Sequence, residues 1–526
     1  MQKLHKPKDW RWLLHRALSI VFSRTVVTVV LVLAQAVWLF SVFYWLSDYS
    51  HLISRVGLAV SALMCLALVR KDSTAPEFKI SWMILFMLMP VQGGLLYLMW
   101  GNKRPAIPLR RRMERAEAEL APLRTGDPAA RAELARRDPR LAETADYLQN
   151  YAAAPVFGGT AVRYYPVGDV MLPDMLADLQ AAQHSIFVES FIIGMGEMWG
   201  QIHEILRQKA AAGLDVRVIY DDAGCLSLLP HNYVDLLRAD GIRAFSFNRC
   251  VPVLNLVLNN RDHRKIMDVD GHTVFTGGVN LSDEYINAVE LHGHWKDTGV
   301  RVTGEAAWNF TAMFLEFWHA YRPESVNEPL DAFRPHAYHP APFAGEGWVQ
   351  PFSDSPLDGE AVSAGVYIDI LAQARDYVYI FTPYLIIDDV MQAALCAAAK
   401  RGVDVRIVTP GVPDKKVVYR LTRSYYAPLL RAGVRIYEYT PGFIHAKSYL
   451  SDDTTGVVGT INMDYRSLYL HFECGTYLYR TPALQALKAD VMDTLAKSRE
   501  ISPADCRRHF WSRMLDAVLR IAAPLC

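Results

Sequence analysis

Two short stretches of this 526-residue chain carry the same chemically able side chains at the same spacing. The first reads His263-Arg264-Lys265, then Asp270, then Gly277-Gly278-Val279-Asn280; the second reads His445-Ala446-Lys447, then Asp452, then Gly459-Thr460-Ile461-Asn462. In each copy the asparagine follows the histidine by 17 residues. A single His-x-Lys would be noise; two with identical internal spacing are a signal. His and Lys two apart on a strand point to one face. Each copy therefore presents an imidazole beside an ammonium, and the asparagine arrives from the next strand or turn. Brought together, two imidazoles, two ammoniums and two amides make a cationic, donor-rich pocket suited to a phosphodiester and its transition-state oxygens. One histidine can attack phosphorus while the other protonates the leaving alkoxide and then deprotonates the incoming hydroxyl. This chemistry requires no metal and no organic cofactor, and no carboxylate cluster suited to Mg²⁺ is evident.

An imidazole in such a role needs an acid to fix its tautomer. Asp297 follows His263 by 34 residues and Glu473 follows His445 by 28. Both lie in strand-like segments able to run beside the motif strands, and both are expected to orient the histidines. Asp270 and Asp452 complete the motif and are grouped with its catalytic residues. A carboxylate against the phosphate would repel it, however, so their expected work is more structural than chemical. Glu189 is a weaker candidate for the pocket wall. His272, His292, His294 and His471 have no counterpart in the other copy and read as structural.

The elements around the motifs repeat as well. DMLADLQAAQHSIFVESFII, a helical pattern and AAAGLDVRVIYDD are matched by YIDILAQARDYVYIFTPYLI, a helical pattern and AAKRGVDVRIVTP. Each reads as helix, apolar strand, amphipathic helix, glycine turn and apolar strand, a β-α-β unit with buried parallel strands. Gly213 and Gly402 hold equivalent places at the helix ends, where a left-handed cap favours glycine. The expected fold is α/β: two similar domains, 153–335 and 336–500, with mixed β-sheets flanked by helices and packed about a pseudo-two-fold axis.

Apolar residues make up 52% of the chain, concentrated in the first hundred residues. Thr25 to Ser47 runs without a charge and is long enough to cross a bilayer of about 30 Å as a helix. Val56 to Val69 is shorter, and Ile80 to Trp100 is interrupted by Pro90, Gly93 and Gly94. Residues 1–105 are therefore expected to form a transmembrane helical anchor with two, possibly three, apolar segments. Basic residues on both sides, Lys3 to Arg24 and Lys103 to Arg112, place both flanks in the cytoplasm, which suits an even number of crossings. Residues 106–152 read as a charged helical connector. Residues 501–526 read as a basic amphipathic helix lying in the membrane interface, with Trp511, Leu515, Val518 and Leu519 on one face. The chain has 55 basic and 55 acidic residues, so no global field favours nucleic acid. Seven scattered cysteines, with no metal-type spacing, read as reduced thiols.

The duplicated motif resembles that of the phospholipase D superfamily. NNRDHRKIMDVDG…FTGGVN, TPYLIIDD, SYYAPLLRAGVRIYEYTPGFIHAKSYLSDD and VGTINMDYRSLYLHFE are similar to bacterial cardiolipin synthases, as is KISWMILFMLMPVQGGLLYLMWG near the N-terminus. The resemblance implies transfer of a phosphatidyl group between two phosphatidylglycerol molecules, giving cardiolipin and glycerol, by an enzyme of the bacterial inner membrane. It implies His263 as nucleophile, His445 as acid and then base, and Lys265, Lys447, Asn280 and Asn462 on the phosphate. Gly278 and Thr460 stand where the superfamily commonly has a small hydroxyl residue, so any contact of Gly278 must be through its backbone. A lipid hydrolase of the same fold is the nearest rival, followed by a nuclease and a non-enzymatic scaffold. Oligomeric state, acyl-chain preference and the choice of donor and acceptor lipid are left open.

Overall fold

The computed structural model describes residues 50–71, 76–101, 107–249, 260–322 and 328–525, with isolated positions at 30, 33, 37 and 325. Contacts divide the chain into two compact units. One comprises residues 1–108, 248–259 and 517–526; the other comprises 109–247 and 260–516.

In the first unit, the helix Ser50–Val69 packs against Pro76–Leu88 and Pro90–Leu96, the latter running into a π-helical turn at Tyr97–Gly101. The break at Pro90 follows from its missing N–H, and Met89 before it is extended (φ −144°, ψ 75°). Leu68, Trp82, Phe86 and Leu96 form a small core. The Ser61 hydroxyl is turned inward and donates to the Phe86 carbonyl at 2.7 Å, whereas Leu52, Leu58, Leu63, Leu66, Met87 and Leu88 are exposed. Among the described residues no helix is long and apolar enough to cross a membrane. The expected transmembrane anchor over residues 1–105 is therefore not confirmed by the described helices. The segment Ile80–Trp100 is divided into pieces of 13, 7 and 5 residues by Pro90 and the π turn. The long stretch Thr25–Ser47 lies outside the described residues, apart from positions 30, 33 and 37.

The second unit begins within the helix Ile107–Leu120 and continues with the helices Pro128–Arg137 and Pro139–Ala152, whose Leu134 and Leu148 are fully buried. Its strands are β1 (Thr160–Tyr165), β2 (Ser185–Ser190), β3 (Asp215–Asp221), β4 (Arg243–Phe247), β5 (Ile266–Val269), β6 (Thr273–Gly277), β7 (His294–Lys296), β8 (Gly299–Gly304), β9 (Trp348–Asp354) and β10 (Tyr377–Phe381). They continue with β11 (Leu385–Ile386), β12 (Asp404–Pro410), β13 (Arg435–Tyr439), β14 (Gly442–Ile444), β15 (Ser448–Ser451), β16 (Thr455–Gly459), β17 (Met463–Asp464), β18 (Glu473–Tyr479) and β19 (Ser498–Glu500). One sheet has the order β1-β8-β6-β5-β2-β3-β4, and the other, read the same way, β9-β18-β16-β15-β10-β12-β13-β19. Strand for strand the two correspond, with β19 as an addition, which is the internal repeat in three dimensions. Both sheets are mixed: β2, β3 and β4 run parallel, as do β10, β12 and β13, and the remaining pairs are antiparallel.

Among the backbone pairings between the halves, two bear on the motifs. β14 pairs in parallel with β7 of the first half, and Asp262 bridges in parallel to Phe472 of the second. These two seams position the site.

Candidate active site

Both motifs sit just before a central strand, not on it. His263 to Lys265 is extended chain leading into β5, and His445 to Lys447 leads into β15. The reason lies in the seams: the backbone there pairs across the halves before it joins its own sheet. The His263 N–H donates to the Phe472 carbonyl at 2.9 Å, and the His445 N–H donates to the Lys296 carbonyl at 2.7 Å. Phe472 immediately precedes Glu473, and Lys296 immediately precedes Asp297. Each seam therefore delivers an acid to the histidine of the other half.

The side chains follow. His263 Nδ1 lies 2.9 Å from both carboxylate oxygens of Glu473, and His445 Nδ1 lies 2.5 Å from Asp297 Oδ2. The dyads are thus crossed, each acid lying against the histidine of the opposite half. Sequence separation within one half carries no trace of a pairing set by a seam between halves.

The two dyads differ chemically. At His263, Nδ1–H is committed to Glu473, so the Nε2 lone pair is the free one; the tautomer is assigned from these partners. Thr460 donates its hydroxyl to the same carboxylate. At His445, Nδ1 faces Asp297 and also stands 2.8 Å from Lys447 Nζ. That nitrogen can donate to Asp297 or accept from Lys447, but not both, so this dyad has more than one home for its proton. Gly278 occupies the place of Thr460 in the first half. A Cβ there would run into the Asp297 carboxylate, and its backbone N–H donates to the Thr298 carbonyl. The small residue is a steric requirement of the dyad.

All these groups are buried, and burial sets their proton affinity. Desolvation, then Lys265, Lys447 and His445, hold the His263 imidazole well below its usual value. Desolvation, then Lys447 and Lys265, do the same to His445. Burial raises the Asp297 carboxyl to about 7 against the opposing pull of Lys447, and lowers Lys447 to about 7. Without an anionic ligand the site thus holds neutral imidazoles. A phosphodiester's negative charge would oppose the lysines and restore basicity to the histidines.

Among the other expected residues, Lys265 Nζ donates to its neighbour's carbonyl, His263 O, at 2.6 Å. Asn280 accepts from Ile192 N–H at 3.1 Å and donates to the Tyr285 hydroxyl at 2.7 Å, leaving one amide hydrogen for a ligand. Asn462 keeps a buried amide oxygen without a partner. Asp270 and Asp452 stand beyond the far ends of β5 and β15, each in the left-handed region (φ 55° and 52°). Asp270 accepts from the N–H groups of Gln183, His184 and Ser185, at 2.7–2.9 Å. Asp452 accepts from those of Arg375, Asp376 and Tyr377, at 2.8–3.0 Å. These contacts tie the end of β5 to the start of β2 and the end of β15 to the start of β10. Glu189 lies behind the site and accepts from Arg264 Nε at 2.7 Å.

Four neighbours were not singled out as ring-packing residues. Phe191 stands 5.0 Å from the His263 ring, and Tyr285 and Trp295 each stand 5.5 Å from His445. His471, set aside as structural, lies 5.6 Å from His263 with its Nδ1 3.7 Å from Glu473. Its position two residues before Glu473, as Trp295 stands before Asp297, was the available signal. His263, His471 and Glu473 hold ligating atoms within 4.8 Å of one another. That trio is the one grouping among the described residues with the geometry to hold a metal, although Glu473 there already accepts from His263 and Thr460.

A family model described as "Cardiolipin synthase, PLD-like domain" matches residues 175–317 and 367–493. The two matches together cover half of the chain and contain both motifs and both acids. The chain belongs to the cardiolipin synthase family. A second model, a phospholipase D-nuclease N-terminal segment, matches residues 57–102. Among relatives, a Geobacillus thermodenitrificans cardiolipin synthase is 31% identical over 92% of this chain and 95% of its own length. An Alkalihalophilus pseudofirmus cardiolipin synthase is 32% identical over 86% and 90%. An uncharacterized Streptococcus mutans protein is 43% identical over 85% and 96%. In fold, the chain is similar to the phosphatidylserine synthase of Haemophilus influenzae, with a TM-score of 0.54 over 73% of this chain and 99% of that one, at 15% identity.

Proposed function

We propose that this family member is a phosphatidyltransferase that joins two phosphatidylglycerol molecules into cardiolipin and releases glycerol. The observation that carries the reading is the pair of crossed dyads, two buried imidazoles each held by an acid from the opposite half, with a lysine beside each.

His263 is the nucleophile, because Glu473 holds its Nδ1–H and leaves the Nε2 lone pair for phosphorus. Attack forms the Nε2–P bond and breaks the P–O bond to glycerol. The leaving alkoxide takes a proton from His445, charged once the phosphate anion has entered. His445, neutral again, then takes the proton from a hydroxyl of the second phosphatidylglycerol, whose oxygen displaces His263 from phosphorus. Lys265, Lys447, Asn280 and Asn462 stabilise the charge on the phosphoryl oxygens. Asp297 orients His445 and shares its proton with Lys447 within reach.

The exposed apolar helices Ser50–Val69 and Pro76–Leu88 support attachment to the bacterial cell membrane, where such lipids reside. The basic flanks favour a cytoplasmic catalytic unit.

The test is lipid analysis of the purified full chain supplied with phosphatidylglycerol. Cardiolipin and glycerol in equal amounts are expected, with loss of both in His263→Ala and His445→Ala. Phosphatidic acid as the main product would replace the transferase by a hydrolase. Activity surviving in either variant would refute the two-histidine mechanism.

A further inference from the structure

The helix Phe510–Ala522 is amphipathic, but in its first half it is docked the wrong way round for a soluble protein. Surface helices ordinarily bury the apolar stripe and expose the polar one. Here Asp516 is buried and accepts from Arg420 Nε at 2.8 Å and from Arg508 at 2.7 Å, and Ser512 accepts from Arg420 at 2.7 Å. The opposite face carries Phe510, Trp511, Met514 and Leu515, at 63, 80, 49 and 48% exposure. These four fall at i, i+1, i+4 and i+5 and form one continuous apolar stripe. Beside the helix lies an open depression of about 420 Å³, lined by Tyr419, Arg420, Arg423, Arg507, Arg508 and His509, with Ser512 at its edge. Tyr419, Arg420 and Arg423 fall on one face of the helix Lys416–Ser424.

The charge here is unbalanced. Four guanidiniums face two carboxylates, Asp516 with Arg420 and Arg508, and Glu438 with Arg423. Glu438 is also shared with Arg499. Arg507 is exposed and has no carboxylate partner among the described residues. A phosphate offers the oxygen acceptors that a guanidinium fork matches. An apolar stripe next to a cationic depression is the arrangement that an anionic bilayer surface satisfies at two depths, acyl chains for the stripe and headgroup phosphate for the arginines.

We propose that this depression is a headgroup site for anionic phospholipid, distinct from the histidine pocket, which seats the Phe510–Asp516 helix in the membrane surface. It goes beyond the transfer reaction and does not depend on which lipid is transferred. An environment-sensitive fluorescent amino acid at position 514 reads it, in the full chain held in lipid nanodiscs. The lipids are phosphatidylcholine alone or mixed with phosphatidylserine, an anionic lipid outside the proposed reaction. With phosphatidylserine the probe should blue-shift and be quenched by brominated acyl chains, and with phosphatidylcholine alone it should stay solvated. Arg423→Gln and Arg507→Gln should each lower the ratio of embedded to solvated probe about 5-fold. Arg507→Gln breaks no ion pair and so keeps the test independent of folding. Equal embedding in both membranes, embedding in neither, or indifference to the arginines overturns the proposal. Displacement of the probe by millimolar inorganic phosphate would overturn the assignment to lipid. None of these outcomes depends on cardiolipin being made, so failure here and failure of the transferase reading are separable.

Discussion

Glu473→Gln changes one atom in a buried site and tests the crossed dyad directly. In the wild type, His263 Nδ1–H donates to the Glu473 carboxylate at 2.9 Å, and Thr460, which accepts from Cys474 N–H at 3.0 Å, donates its hydroxyl to that carboxylate. Thr460 would hold the oxygen of a new amide and turn its NH₂ toward the imidazole. An imidazole that turns to this donor presents its Nδ1 lone pair, which moves the proton to Nε2 and removes the lone pair that attacks phosphorus; one that keeps to the amide oxygen, also 2.9 Å away, holds its proton by a neutral acceptor only. The anionic partner that stabilises the charged phosphohistidine is lost as well. An isosteric acid-to-amide change in a Ser-His-Asp triad costs about 10⁴ in kcat through the same tautomer error. A loss of about 10³–10⁴, or ~4–5.5 kcal/mol in barrier, is therefore expected here. KM should move little, because Glu473 does not face the phosphate. Rapid-quench single turnover with phosphatidylglycerol should show the phosphatidyl-enzyme failing to form at His263. Turnover above a tenth of wild type, or a covalent intermediate forming at the wild-type rate, would refute the crossed pairing as the source of the nucleophile.

Asp270→Ala and Asp452→Ala each remove the acceptor for three backbone N–H groups; a loss of about 2–3 kcal/mol in stability is expected, with turnover per folded molecule within a few-fold of wild type. Thermal melts beside active-site-titrated kcat separate the two, and a collapse of kcat without a fall in melting temperature would return these aspartates to the chemistry. Gly278→Ser drives a Cβ into the Asp297 carboxylate, so it should lower kcat at least 10-fold by displacing the His445 dyad; wild-type kcat would show that the carboxylate has room to move. His471 is held neutral by burial, its pKa lowered to about 3, so the unfolded chain takes up its proton first as pH falls below the ordinary histidine value. That contribution destabilises the folded state between about pH 6.5 and pH 3, by up to ~1.4 kcal/mol per pH unit. The stability of wild type minus that of His471→Asn should therefore fall by about 2 kcal/mol from pH 7 to pH 5; a difference that stays flat with pH would refute the assignment.

Much of the site is written locally. A His-x-Lys spacing, a glycine turn and an asparagine at a set distance are properties of contiguous chain, so both motifs and their chemistry are legible from residue types alone. Their duplication inside a repeated β-α-β pattern also announces two similar sheets, because apolar strands and amphipathic helices follow periods visible along the chain. Asp270 and Asp452 show the limit of a motif: its spacing is fixed by a turn as much as by chemistry, and only the backbone N–H groups of Gln183–Ser185 and Arg375–Tyr377 reveal which.

The tertiary structure decided which acid serves which histidine. Glu473 reaches His263 across 210 positions and Asp297 reaches His445 across 148, because Asp262–Phe472 and β14–β7 pair between halves. Parallel pairing between distant segments leaves no local period in either one. It also decided the orientation of the Phe510–Asp516 helix. Its two faces are evident from the sequence, but whether the apolar or the charged face meets the protein depends on Arg420 and Arg508 standing opposite Asp516. Composition along one helix describes its faces; what each face meets is a property of the surface it lands on.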